Sequence, residues 1–171
     1  VADFNATSTS ICVGESISYS DNSTGVVNSQ SWSFQGGSPG TSSAASPTVT
    51  YNNPGVYDVS YTVNGSSGSN TETKTSYIVV SALPEENATV INTTCNEVSN
   101  GSIDLNISAG SGNYNVQWSN GSSAELITGL AVGNYSVTIT DATSSCSSNA
   151  SFTIGSNYSL NSNLTVIDNS A

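Results

Sequence analysis

The stretch Gly55-Val56-Tyr57-Asp58-Val59-Ser60-Tyr61-Thr62-Val63 decides the fold class. Tyr57, Val59, Tyr61 and Val63 alternate with Asp58, Ser60 and Thr62. Successive side chains of an extended chain point to opposite faces, so this run sets aromatic and β-branched groups against small polar ones. A helix would scatter both sets around its axis. The same period of two recurs at Ile17/Tyr19, Trp32/Phe34, Ile103/Leu105/Ile107, Tyr114/Val116/Trp118, Tyr135/Val137/Ile139 and Phe152/Ile154. No window shows helical spacing. Strands are expected near 2–5, 16–21, 30–35, 48–52, 56–63, 70–80, 88–94, 102–108, 113–119, 124–128, 134–141 and 149–155. The chain therefore reads as all-β, with antiparallel strands punctuated by Gly, Asn and Pro.

Working outward, Gly55-Val56-Tyr57-Asp58-Val59 has an echo in Gly133-Asn134-Tyr135-Ser136-Val137. Each follows a Trp-Ser strand, at Trp32-Ser33 and Trp118-Ser119. A Trp on a central strand and a Tyr entering a late strand, bonded to nearby backbone, are core features of an immunoglobulin-like sandwich. The expectation is two tandem immunoglobulin-like antiparallel β-sandwiches with both Trp residues in their cores. Between them lies Ser81-Ala82-Leu83-Pro84-Glu85-Glu86. Pro84 cannot donate to a ladder and the two Glu prefer water, so a linker is expected at 83–86, between modules at 1–82 and 87–156. The tail, 157–171, contains Leu160-Asn161-Ser162-Asn163-Leu164-Thr165-Val166-Ile167-Asp168-Asn169, which is similar to Asn87-Ala88-Thr89-Val90-Ile91-Asn92-Thr93. It reads as the first strand of a following repeat, or as a strand that pairs with another subunit.

Composition narrows the function. Twelve acidic residues face one basic residue, Lys74, for a net charge of -11. Nucleic-acid binding needs Lys and Arg against phosphate, so that class is excluded. An anionic membrane surface would repel the chain, and no apolar run approaches the roughly 20 residues that span a bilayer. No Met is present, and the chain reads as a mature or excised segment.

Catalysis also lacks its usual parts. There is no His to act as a general base. Lys74, on an alternating strand, reads as a solvated edge residue. Glu85 and Glu86 adjoin in a linker, where nothing holds a defined carboxylate separation. Glu15, Glu72, Glu97 and Glu125 are dispersed. Calcium would suit oxygen ligands, but Asp3, Asp21, Asp58, Asp104, Asp141 and Asp168 form no dense cluster and read mostly as turn residues, so no cofactor is expected, with calcium at a loop end as the alternative. Cys12, Cys95 and Cys146 have neither zinc-type spacing nor His neighbours. Their odd number leaves at least one without an intramolecular partner. Asn-x-Ser/Thr triplets recur, and Asn5, Asn22, Asn64, Asn106, Asn134 and Asn163 are candidate glycosylation acceptors.

Residues 2–81 resemble a PKD domain. The resemblance rests on Ala2-Asp3-Phe4, Cys12-Val13-Gly14-Glu15-Ser16-Ile17, Trp32-Ser33-Phe34 and Pro54-Gly55-Val56-Tyr57-Asp58-Val59. The acidic run usual in that family is replaced here by Trp32-Ser33-Phe34-Gln35-Gly36-Gly37. Residues 87–155 resemble a SprB repeat, found in long gliding-motility and adhesin proteins of the Bacteroidota. That match rests on Thr94-Cys95-Asn96, Asn100-Gly101-Ser102-Ile103, Tyr114 to Gly121, Ile127-Thr128-Gly129-Leu130, and Gly133 to Asp141 followed by Cys146.

The second resemblance implies a Cys95–Cys146 disulfide, closing about 50 residues and contributing about 3–4 kcal/mol on chain-entropy grounds. Two reduced, buried thiols are the alternative. Cys12 reads as a buried free thiol, with an intermolecular bridge as its alternative. Together the resemblances imply a non-catalytic structural or adhesive segment of an exported, extracellular cell-surface or filamentous bacterial protein. Its partners would be neighbouring modules or subunits of the same protein, or surface glycans. The alternatives are a subunit of an extracellular homopolymeric fibre, and a glycan-binding or spacer appendage of a secreted hydrolase.

Overall fold

The computed structural model describes residues 1–66, 68–95 and 98–157, and every regular element among them is a β-strand. The fold is all-β, with immunoglobulin-like sandwiches. The chain divides into two compact units. Among the described residues, one comprises Val1–Glu85 with Ser108–Asn115 and Ile139–Ser148; the other is built from Glu86–Ile107, Val116–Thr138 and residues 149–157.

In the first unit two sheets face each other. A four-stranded sheet orders Phe4–Ala6, Ser16–Asp21, Thr48–Tyr51 and Gly37–Ser38. A five-stranded sheet orders Ser10–Cys12, Gly68–Ser81, Gly55–Gly65, Ser29–Phe34 and Thr41–Ser42. The pleat sends Phe4, Ile17, Tyr19, Val49 and Tyr51 inward from one, and Trp32, Phe34, Val59, Tyr61, Val63, Ile78 and Val80 inward from the other. Trp32 stacks on Tyr61 with ring centroids 3.8 Å apart and meets the edge of Phe4 at 5.3 Å. The Tyr19 and Tyr51 hydroxyls bond each other at 2.8 Å. Burial, reinforced by that bond, pushes the Tyr19 hydroxyl far above its ordinary range.

The outward positions of the same strands carry paired hydroxyls. Ser60 meets Thr73 at 2.8 Å, Thr62 meets Thr71 at 2.8 Å, Ser16 meets Thr50 at 2.7 Å and Ser18 meets Thr48 at 2.9 Å. Cross-strand neighbours thus satisfy one another along these outward faces.

The second unit takes its buried side chains from a sheet ordered Thr89–Ile91, Gly101–Asp104 and Leu126–Leu130, and from a sheet ordered Tyr114–Trp118, Gly133–Asp141 and Ser147–Ile154. Ile103, Ile127 and Leu130 come from the former, and Val116, Trp118, Val137 and Ile154 from the latter. The ring of Trp118 lies 6.0 Å from that of Phe152.

The echo between the halves is also geometric. The indole N–H of Trp32 donates to Ala44 O at 3.0 Å, and that of Trp118 to Ala124 O at 2.9 Å. The Tyr57 hydroxyl donates to Asn53 O at 3.0 Å and the Tyr135 hydroxyl to Ala131 O at 3.1 Å. Each Tyr thus closes the corner leading into its own strand, the bond to nearby backbone expected of such a residue.

Some strand limits differ from expectation. The run 102–108 is broken into Gly101–Asp104 and Ile107–Ser108, because Asn106 takes a left-handed φ of 45°. Glu85–Glu86, expected as unpaired linker, forms a short strand against Ile107–Ser108. Three further short strands, Ser10–Cys12, Gly37–Ser38 and Thr41–Ser42, carry too few residues to show a period. The segment 158–171, with the tail strand expected there, lies outside the described residues.

Candidate functional site

The most constrained polar group among the described residues is Asp141, at the end of the strand Gly133–Asp141 and only 1% exposed. One carboxylate oxygen accepts the backbone N–H groups of Thr143 at 2.8 Å and Ser144 at 2.9 Å. The other accepts the N–H of Ser111. The N–H of Asp141 donates to Cys146 O at 2.8 Å, and that of Ser145 to Asp141 O at 2.9 Å. The turn 141–146 is thus wound around one carboxylate, which also ties it to the turn holding Ser111. The N–H of Ser144, then that of Ser111, hold the carboxyl well below the ordinary Asp range.

The turn presents Cys146 to Cys12. The two are joined by a disulfide, with Cα atoms 5.7 Å apart and a sequence separation of 134. Cys12 sits at the end of the strand Ser10–Cys12, which runs parallel to the end of Gly68–Ser81 with Cys12 opposite Ser81. The N–H of Cys12 donates to the Glu15 carboxylate at 2.8 Å. Two expectations are corrected here. Cys95 is a free, half-buried thiol rather than the partner of Cys146, and Cys12 is bonded rather than free. The turn 141–146 and the strand Ser10–Cys12 both belong to the first compact unit, whereas Cys95 belongs to the second. A bridge can form only between Cα atoms already within about 7 Å.

Lys74 is a third correction. It is 24% exposed rather than solvated. Its ammonium donates to Phe4 O, lies 3.2 Å from the Asp3 carboxylate, and sits 4.5 Å from the centroid of Phe4 and 5.3 Å from that of Tyr77. The N–H of Phe4 and then Lys74 draw the Asp3 carboxyl below its ordinary range. The one basic side chain therefore clasps the first strand.

Several of the acidic residues serve turns and strand irregularities. Asp21 accepts the N–H of Ser23 at 2.7 Å, and Asp58 that of Ser76 at 2.7 Å, where the backbone turns left-handed with φ 50°. Among the described residues no group of three or more His, Cys, Asp or Glu assembles that could hold a metal ion. Asn5, Asn22, Asn64, Asn106 and Asn134 are exposed, while Asn163 and Asp168 lie outside the described residues.

The surface recesses are shallow and chemically plain. One of about 240 Å³ is lined by Ser81, Ala82, Gly110, Ser111, Asp141, Thr143 and Ser144, and its only carboxylate already has both oxygens engaged. Two larger ones, about 430 and 500 Å³, lie beside Trp118 and Trp32 and contain no titratable side chain.

A family model described as a PKD domain matches residues 1–80, and one described as a SprB repeat matches residues 87–123. The chain carries these two modules in that order. No curated protein matches it. Among solved structures it is similar to the C-terminal 282-residue fragment of intimin, crystallised with the intimin-binding domain of the translocated intimin receptor. The identity is 16% and the TM-score 0.60, over 91% of this chain and 64% of that one, so the chain spans less than two thirds of the fragment. It is also similar to carbohydrate-binding modules of the β-sandwich superfamily, at 18% identity and TM-score 0.42 over 80% of this chain and 53% of that one. Fibronectin(III)-like modules of CbhA from Clostridium thermocellum align at 14% identity and TM-score 0.40, over 90% and 94% of the two chains. At such identities the intimin likeness speaks for the fold alone.

Proposed function

We propose that the chain is a non-catalytic segment of an exported bacterial surface protein, in which small sandwich modules are set in series to extend or attach. The observation that carries this reading is a PKD domain followed by a SprB repeat, in a chain closed by a disulfide. Disulfides persist in oxidising compartments, which supports an exported location. The self-satisfied Ser/Thr exterior and the engaged carboxylates suit a surface that stays hydrated and chemically inert. Serial repetition is supported by the tail, where Asn163, Thr165, Val166 and Ile167 repeat Asn87, Thr89, Val90 and Ile91 in the same spacing. The partners in this reading are neighbouring modules of the same protein and surface glycans. The exposed Asn5, Asn22, Asn64, Asn106 and Asn134 are candidate acceptors for glycosylation.

The test is immunogold labelling of cells that carry the gene, using antibody raised against the purified chain. Intact cells should label at their surface and on any appendages. Labelling seen only after permeabilisation would refute the proposal.

A further inference from the structure

The Cys12–Cys146 bond closes a covalent ring that leaves only residues 1–11 and 147–171 outside it. The position of the two sulfurs near opposite ends of the chain matters more than the bond itself. We propose that this disulfide is a load bypass: tension applied at the two ends draws out the segments outside the ring and then passes through the bond, and residues 13–145 are not lengthened by it. This rests on the reading of the chain as part of an extended surface protein, where end-to-end pulling is the working condition.

The physical case is topological. In a sandwich module placed in line with a force, the hydrogen-bond ladders bear the load, and the module lengthens when they part. Here a covalent bond lies in parallel with the ladders of the ring. The strands Ser16–Asp21, Ser29–Phe34, Gly55–Gly65 and Gly68–Ser81 all fall inside it, as does the whole 87–123 repeat. What remains in line at the N-terminal side is short and firmly seated. The strand Phe4–Ala6 pairs with Ser16–Asp21, the Phe4 ring is fully buried, and Lys74 holds Phe4 O and Asp3. The N–H of Ala2 donates to Asn70 at 2.6 Å. The Lys74 clasp therefore guards the first strand, which the ring leaves exposed to load.

The pairing decides how much length is shielded. Full extension is at most about 3.5 Å per residue, so the Cys12–Cys146 ring withholds about 470 Å of chain. A Cys95–Cys146 bridge would withhold only about 180 Å.

The experiment stretches the full chain from tags at its two ends in a single-molecule force instrument, first without reductant. The same tethered molecules are then treated with tris(2-carboxyethyl)phosphine, so no variant has to fold without the bond. Without reductant the chain should yield no more than about 130 Å, and after reduction about 600 Å. Cys95→Ser should leave both lengths unchanged. Lys74→Met should lower the force of the first event in the unreduced protein without altering its length. About 420 Å before reduction would overturn the proposal in favour of the other pairing, and about 600 Å before reduction would overturn it outright. These lengths do not depend on where the protein resides, so failure of surface labelling and failure of the bypass are separate results.

Discussion

At the residue scale, four side chains (Lys74, Asp3, Asp21 and Asp141) show how closely individual charges are held. Lys74 neutralises Asp3, satisfies Phe4 O and lies over two rings at once. Lys74→Met keeps the stem but removes the ammonium, leaving a backbone carbonyl without its donor and two rings without their cation. The urea midpoint should fall by an amount corresponding to about 1–2 kcal/mol. Asp141 should show itself in acid. Its folded pKa lies below the unfolded value of about 4, so the stability it supplies is complete above that pH and is lost as pH falls toward the folded value. The same sign holds for Asp3, and for Asp21, where burial opposes but bonds from Ser23 prevail. In urea titrations at a series of pH values, wild-type protein should weaken steadily below pH about 4. Asp141→Asn should weaken less over that range while starting lower at pH about 7. An unchanged acid slope would refute the role given to this carboxylate.

At the element scale, the strands form where the two-residue period is longest, and the irregular connections rest on individual residues. The hairpin of Gly55–Gly65 with Gly68–Ser81 is the longest ladder of the molecule and holds the aromatic face of Tyr61 against Trp32. Its entry depends on Tyr57, whose ring lies against Tyr51 and whose hydroxyl caps the corner at Asn53. Gly36 packs beneath that ring with φ 69°, and a Cβ there would come within 2.2 Å of Tyr57 Cε1. Gly36→Ala meets both a left-handed backbone and a ring that cannot withdraw without breaking its corner bond. A loss of about 2–3 kcal/mol is expected, read as a lower thermal midpoint. The Gln35-Gly36-Gly37 run, which stands where the PKD family usually has acidic residues, is thus occupied by a packing requirement.

At the scale of the whole molecule, the disulfide dominates. Closing a ring of this size removes about 4–5 kcal/mol worth of freedom from the unfolded chain, a large fraction of the stability of a small domain. Cys146→Ser should lower the midpoint of denaturation by that order, whereas Cys95→Ser should change it by less than about 1 kcal/mol. Alkylation of the denatured, unreduced protein followed by peptide mapping should label Cys95 alone. Label on Cys12 would contradict the pairing.

The period of two along each strand, with Trp and Tyr at equivalent places in both halves, was enough by itself to establish an all-β chain of immunoglobulin-like sandwiches, and the family resemblance gave the order of its two modules. These features are local: burial of one face of a strand is written directly into alternate residues, and a Tyr corner spans only four or five positions. The short strands Ser10–Cys12, Thr41–Ser42 and Glu85–Glu86 escaped notice because two or three residues carry no period and form only against a neighbour already in place. The cysteine pairing and the position of Lys74 depended on the tertiary structure for a different reason. Both concern side chains far apart in sequence, and proximity across 134 or 70 residues is set by how sheets stack, which no local pattern encodes. Family resemblance pointed to Cys95 as the partner of Cys146, but the fold placed Cys12 beside it, and a disulfide forms only between sulfurs that packing has already brought together.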